Sequence, residues 1–383
     1  MTRVRWLVAA ALVAAAVLVV IVFVSRGGRR RVPHIPVPSA TVYGANVNWL
    51  FDDESYTSAE IDSQLAGLQA TGATTARTDA LWERSEPAPP SDGVHHYDWA
   101  FDDGIVTALA EHDLRWLPIV DYAPAWATVD PSLLHSPPAS PADYAAYAGA
   151  LAARYGPGGI FWREHAALPQ LPAQEFEIWN EPDNPEFWAP APNPAVYARL
   201  YLDARAAIDA SDPSAIVLVG GLTNPPEFLP AMLAADPSLR LEIDGIAIHP
   251  YSPSPAGVLG RVARARAVLD QLGLVRVPLY VTEFGWTTSP PGALDYAPAA
   301  ERPAYIQTAI SQLALSGCDL GSIILYTWAT PDVDHSNSQN WYGIDPSGGG
   351  GSADVTAFTN ALHAAAQARG DGGGGAATGS CTG

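Results

Sequence analysis

The chain has 383 residues, 48% of them apolar, which suits one large α/β barrel with an extensive core. All 20 basic residues are arginine, so chemistry that needs a lysine Schiff base is excluded. Six of those arginines lie in the first 31 residues, leaving 14 against 40 acidic residues. That formal charge of −26 disfavours nucleic acid and anionic lipid and suits a neutral substrate.

Residues 6–24 form 19 consecutive apolar residues, long enough to cross a bilayer as a helix. No A-x-A-like site closes the run, which predicts an uncleaved signal-anchor over residues 1–31, a cleaved signal peptide being the alternative. Arg3 and Arg5 precede the span, whereas Arg26, Arg29, Arg30 and Arg31 follow it. Charge counting alone would leave the following domain inside the cell. Large domains translocate largely regardless of flanking charge, so the domain is expected outside, held at the cell membrane.

A Pro-rich spacer, residues 32–40, leads into the folded region. From there strands are predicted at 41–49, 73–78, 114–120, 174–180, 215–220, 243–249, 277–282 and 322–328. Helices are predicted at 58–70, 99–111, 143–154, 194–210, 225–234, 257–272, 302–315 and 353–368. Eight alternations of strand and helix predict a parallel (β/α)8 TIM barrel over residues 41–369. A doubly wound open sheet is the rival, but no G-x-G-x-x-G follows the first strand. A second Gly run, Gly348 to Gly351, interrupts the last strand-to-helix loop, and a Gly-rich tail over 370–383 cannot bury enough surface to order itself. The two cysteines, Cys318 and Cys381, are too few to staple a fold and fit a disulfide or two thiols equally well.

Function in such barrels gathers at the C-terminal ends of the strands. Strand 2 ends in Arg77, with Asp79, Trp82 and Glu83 just beyond, and strand 3 is followed by Asp121, Tyr122 and Trp126. Strand 4 supplies Asn180 and Glu181 and then Trp188; strand 6 supplies His249 and Tyr251. Strand 7 supplies Glu283 and Trp286, and strand 8 ends in Trp328. Two carboxyl groups on separate strands are what glycoside hydrolysis requires, one as acid and one as nucleophile or base. Indole faces stack on the apolar faces of sugar rings.

The segments "EIWNEPDNPEFW" (177–188) and "VTEFGW" (281–286) resemble the acid/base and nucleophile motifs of retaining β-glycosidases of clan A. Family 39 of the glycoside hydrolases is the nearest, with family 5-like cellulases as near relatives. In family 39, too, the strand-4 motif continues to a Phe-Trp pair. "NWYGIDPSG" (340–348) resembles the segment leading into that family's last helix. Asp183 beside Asn184 departs from the family pattern and bears on a loop contact rather than on the acid.

The resemblance implies that Glu181 is the general acid/base and Glu283 the nucleophile of a double displacement. It implies that Asn180 holds the sugar 2-OH and that Arg77 and Tyr251 keep Glu283 ionised. Glu181, in drier surroundings, is expected to start protonated. His249, Trp286 and Trp328 complete the expected carbohydrate-binding set, with no cofactor and no metal.

Plainer readings stand beside these. The two glutamates could cap loops, His249 could be a core histidine, and the tryptophans count only if they expose a face. Asp332, Asp334 and His335 fit a solvated loop better than a metal site, and His249 alone at a strand end is too little for a metal-dependent hydrolase. Glu177 lies mid-strand, where a charge needs a partner that the sequence does not name. The alternative function is a non-catalytic, membrane-anchored glycan-binding protein on the same barrel.

Overall fold

A computed structural model describes residues 41–52, 55–371 and 381. The apolar run at 6–24, the spacer at 32–40 and most of the Gly-rich tail lie outside the described residues. Among the described residues no helix is long and apolar enough to cross a membrane.

Eight strands form a closed barrel in sequence order: β1 (Val42–Asn46), β2 (Thr75–Leu81), β3 (Arg115–Asp121), β4 (Glu175–Ile178), β5 (Ile216–Leu222), β6 (Gly245–Ile248), β7 (Leu279–Val281) and β8 (Leu320–Leu325). Every neighbouring pair is parallel, including β8 with β1. The main helices of the outer ring are α1 (Ser58–Ala70), α2 (Ala100–Glu111), α3 (Pro141–Tyr155), α4 (Pro194–Ser211), α5 (Pro225–Ala235), α6 (Pro255–Gln271), α7 (Arg302–Leu315) and α8 (Ala353–Asp371). The eight predicted strands and helices are all present. Three short α-helices (Asn48–Asp52, Trp82–Ser85 and Ile160–Glu164) and two 3-10 turns (Pro237–Leu241 and Ser338–Trp341) add to them, and α8 runs three residues past its predicted end.

Local chemistry explains where the helices start. Thr57 caps α1 in a reciprocal box with Glu60, while Ser140, Asn193 and Ser254 cap α3, α4 and α6. A proline follows each of the last three caps, its fixed φ matching the first helical turn and its missing N–H costing nothing there. Gly349, Gly350 and Gly351 take positive φ in the loop before α8, a path that side-chain-bearing residues resist.

The strands carry near-continuous burial because the helix ring covers the outside and packed side chains fill the inside. Ile216, Leu218, Ala247 and Tyr280 form a small apolar cluster of their own within the sheet, separate from the main core. Beside the strand ends the filling becomes polar, with Asn46, Arg77, Glu177, His249 and Thr282 all buried. Cys318, just before β8, and Cys381 form a disulfide.

Candidate active site

Strand β4 ends at Ile178, two residues earlier than the sequence pattern suggests. The Tyr197 hydroxyl of α4 donates to the Ile178 carbonyl (2.8 Å) and accepts from the Gly220 amide (2.7 Å), so that strand end stays satisfied where the chain leaves the sheet. The backbone then turns sharply, with Trp179 at φ 64° and Glu181 at φ 44°. Left-handed residues with a side chain cost about 1–2 kcal/mol each and persist only where the surroundings hold them. Here the holding comes from the fully buried Trp179 indole, which donates to the Phe187 carbonyl (2.6 Å) and meets Tyr122 and Trp188 edge-on.

This turn presents Glu181 to His249 and Glu283. His249 Nδ1 lies 2.7 Å from Glu181 Oε1 and 3.5 Å from Glu283 Oε2. One ligand-type atom from each of the three residues falls within 4.8 Å of the others. That upper bound on the nearest oxygens is shorter than the roughly 6.5–9.5 Å between the carboxyl groups of inverting glycosidases, which leaves the close pairing of retaining enzymes. The ring of His249 comes this close because position 221 is glycine: a Cβ there would sit 2.0 Å from His249 Nε2.

Arg77, wholly buried, organises the other side. Its Nη1 donates to Glu283 Oε1 (2.6 Å) and Asn46 Oδ1 (2.7 Å), and its Nη2 donates to Asn180 Oδ1 (3.1 Å). The Tyr251 hydroxyl donates to the second oxygen of Glu283 at 2.8 Å. The mid-strand Glu177 also finds its partner here, in a two-point bond with Arg77 Nε (2.8 Å) and Nη2 (2.9 Å). Burial opposes the charge of Arg77, yet Glu177 and Glu283 outweigh it and push its pKa above the ordinary arginine value.

Burial raises the pKa of Glu181 to about 7, opposed by a hydrogen bond from Asn184 Nδ2 (2.7 Å to Oε2) and by the charge of Arg77. Burial also holds His249 below its usual range, so a neutral ring bridges the two carboxyl groups. Asp183, the departure from the family pattern, accepts from the Thr223 and Asn224 amides and thereby ties the β4 turn to the start of α5. Glu181, His249 and Glu283 are also the described residues best placed to offer ligand atoms to a metal ion. Arg77 already puts a fixed cation against Glu283, which does not suit a divalent ion beside it.

Two expected site residues are misplaced by the sequence reading. Trp328 is fully buried against the helix layer, near Phe358 and over Gly67 of α1. Trp286 is 1% exposed, donates to the Ser252 carbonyl and meets Tyr305 edge-on. Neither offers a face to a sugar. Trp82 and Trp188 are buried as well, and only Trp126 of the loop tryptophans noted in the sequence stays partly open. The partly exposed aromatics at the strand ends are instead Trp49, Tyr122, Tyr251, Tyr326 and Trp341. Asn46, Asn184 and Gly221 belong to the site and were not singled out. Asn184 had a local signal, since a side-chain amide three residues past a turn's first residue can reach back to it.

No protein-family model matches the sequence, and no curated protein matches it. Solved structures do. A family 39 glycoside hydrolase from Bacteroides cellulosilyticus WH2 is similar at 18% identity with a TM-score of 0.62, over 83% of this chain and 62% of that one. A family 39 β-xylosidase from Caulobacter crescentus is similar at 20% identity with a TM-score of 0.63, over 87% of this chain and 73% of that one. A family 39 enzyme from Xanthomonas axonopodis pv. citri is similar at 20% identity with a TM-score of 0.64, over 87% of this chain and 67% of that one. The chain therefore spans less than two thirds of the first of these proteins. At such identities the likeness is one of fold.

Proposed function

We propose that the chain is a retaining β-glycosidase of the family 39 kind, working by double displacement between Glu181 and Glu283. The observation that supports this reading is the pair itself: two carboxyl groups brought close together on either side of His249 Nδ1, in opposite surroundings. Glu283 is gripped by Arg77 and Tyr251, whereas Glu181 is dried until its pKa nears neutrality.

In the first step an oxygen lone pair of Glu283 forms the bond to the anomeric carbon. The carbon–oxygen bond to the leaving group breaks, and the departing oxygen takes the proton of Glu181. In the second step Glu181, now ionised, removes a proton from water. The water oxygen bonds to the anomeric carbon, and the ester electron pair returns to Glu283. Asn180, which accepts from Arg77, holds the sugar 2-OH through both steps in this reading.

The charge around the site narrows the substrate. Arg84 is the one arginine in the eight strand-to-helix connections, and it lies over the Phe101 ring. Arg77 is spent on Glu177 and Glu283, and Arg302, at the start of α7, is spent on Asp354. Arg77, the cation in contact with Glu283, is already paired, so a carboxylate or sulfate beside the reacting carbon would meet uncompensated carboxylates, which favours an uncharged glycone. The Cys318–Cys381 disulfide suits an oxidising compartment and supports an extracytoplasmic domain attached through the apolar run at 6–24. Hydrolysis of aryl β-xyloside and β-glucoside followed by proton NMR tests the reading. The first-formed sugar should be the β-anomer; release of the α-anomer would refute retention.

A further inference from the structure

Glu177 is a third carboxylate at the reacting centre, and neither step above uses it. It is fully buried on β4, one layer below Glu181. Each oxygen accepts from a different nitrogen of Arg77, at 2.8 and 2.9 Å, and Oε1 also accepts from the Gly221 amide at 2.8 Å. The Thr282 hydroxyl (3.4 Å) and His249 Nε2 (3.9 Å) complete its surroundings. A two-point bond fixes the plane of the guanidinium. With Nε and one side of Nη2 committed to Glu177, Nη1 must point at Glu283 and Asn46, and the other side of Nη2 at Asn180.

We infer that Glu177 is a positioning and charge-balancing residue: it aims Arg77 at Glu283 and supplies the anion that keeps Arg77 compensated when Glu283 is consumed as an ester. This rests on the reading of Glu181 and Glu283 given above. Before the first step the buried group holds one cation, Arg77, against the anions Glu177 and Glu283, with Glu181 protonated. After it, Glu283 is a neutral ester and Glu181 has given its proton to the leaving oxygen, so one cation again faces two anions. The cluster therefore carries one excess negative charge on both sides of the transition state. That is the sign that stabilises an oxocarbenium-like carbon. Without Glu177 the cluster would be neutral, and Arg77 would oppose the positive charge it now helps to frame.

The test is the pair Glu177→Gln and Glu177→Asp, read by the pH dependence of kcat/KM on an aryl β-glycoside. The alkaline limb follows Glu181. Glu181 faces Arg77 of β2, Tyr122 after β3, and Glu177, Asp183, Asn184 and Glu186 of β4 and its turn. From the other side it faces His249 after β6, Glu283 after β7 and Tyr326 after β8. Of these, Glu177→Gln alters one charge. It should lower kcat/KM roughly 100-fold and move the alkaline limb measurably down, because an anion that disfavours ionisation of Glu181 is gone and Arg77 is left less compensated. Glu177→Asp keeps the charge but draws Arg77 back, so kcat should fall at least about tenfold with the limb in place.

A merely structural Glu177 would lower the melting temperature and leave the limb where it was, which overturns the inference. Full activity in Glu177→Asp overturns it too, and decides the matter alone if Glu177→Gln does not fold. Failure of the two-glutamate reading would look different, as ordinary activity in Glu181→Ala and Glu283→Ala.

Discussion

Asn184 offers the sharpest handle on Glu181. Its side-chain amide donates to Glu181 Oε2 at 2.7 Å and stabilises the ionised form of a carboxyl group that burial otherwise keeps protonated to about pH 7. A hydrogen bond to a charged acceptor contributes about 1.5–3 kcal/mol, and one pKa unit corresponds to about 1.4 kcal/mol. Asn184→Ala should therefore raise the pKa of Glu181 by about one unit or more, since removing a donor to the anion favours the acid. The alkaline limb of kcat/KM, measured from pH 4 to pH 10 on an aryl β-glycoside, should move up by that amount. The neighbouring Glu186 acts with the opposite sign, its charge raising the pKa of Glu181 from an exposed position. Glu186→Gln should shift the same limb slightly downward. A limb that stays put in Asn184→Ala, or falls, would refute the assignment of that limb to Glu181.

Other expectations follow from the charges. Aryl β-glucuronide should be cleaved at least about 100-fold more slowly than the matching glucoside, because its carboxylate meets several anions while Arg77 is already paired; equal rates would remove the uncharged-glycone assignment. Asp102, buried in the first turn of α2 and accepting a hydrogen bond from Ser85, has its pKa raised by burial to about 7. A carboxyl group whose folded pKa lies above its unfolded one loses stabilising protonation as pH rises from about 4 to 7. Asp102→Asn should thus gain stability at pH 8 relative to pH 5, by on the order of 2 kcal/mol, read as the difference in melting temperature. Reduction of Cys318–Cys381, which closes a 63-residue separation, should lower stability by about 2–4 kcal/mol; an unchanged denaturant midpoint under reductant would contradict that.

The barrel was legible because its signal is repeated eight times: short apolar runs bounded by turn residues, then helices opened by Ser-Pro or Asn-Pro. The strand-end residues were legible for the same reason, since barrel topology brings them to one face whatever the loops do. Side-chain direction was not. An indole at a strand end turns into the cleft or out to the helix layer according to two or three backbone angles, and Trp286 and Trp328 both turn away from the cleft. Glu177 lacked a named partner because Arg77 is 100 residues away. Alternate strands share interior layers in such barrels, and that rule brings β2 and β4 side chains together. The early end of β4 depends on positive φ at Trp179 and Glu181, which neither residue type announces.

The central claim is that Glu283 is the nucleophile and Glu181 the acid/base, and azide separates those roles in one experiment. Glu283→Ala removes the nucleophile but leaves Glu181, Asn180 and Arg77, so hydrolysis of a β-glycoside should fall by several orders of magnitude. Azide admitted to the vacated space attacks the anomeric carbon from the same side as the lost carboxylate, and the product should be the α-glycosyl azide. Glu181→Ala should still form the covalent intermediate from an activated aryl glycoside and yield the β-glycosyl azide. The account predicts these two opposite anomers from the two variants. The same anomer from both, or ordinary hydrolysis in either, would contradict it.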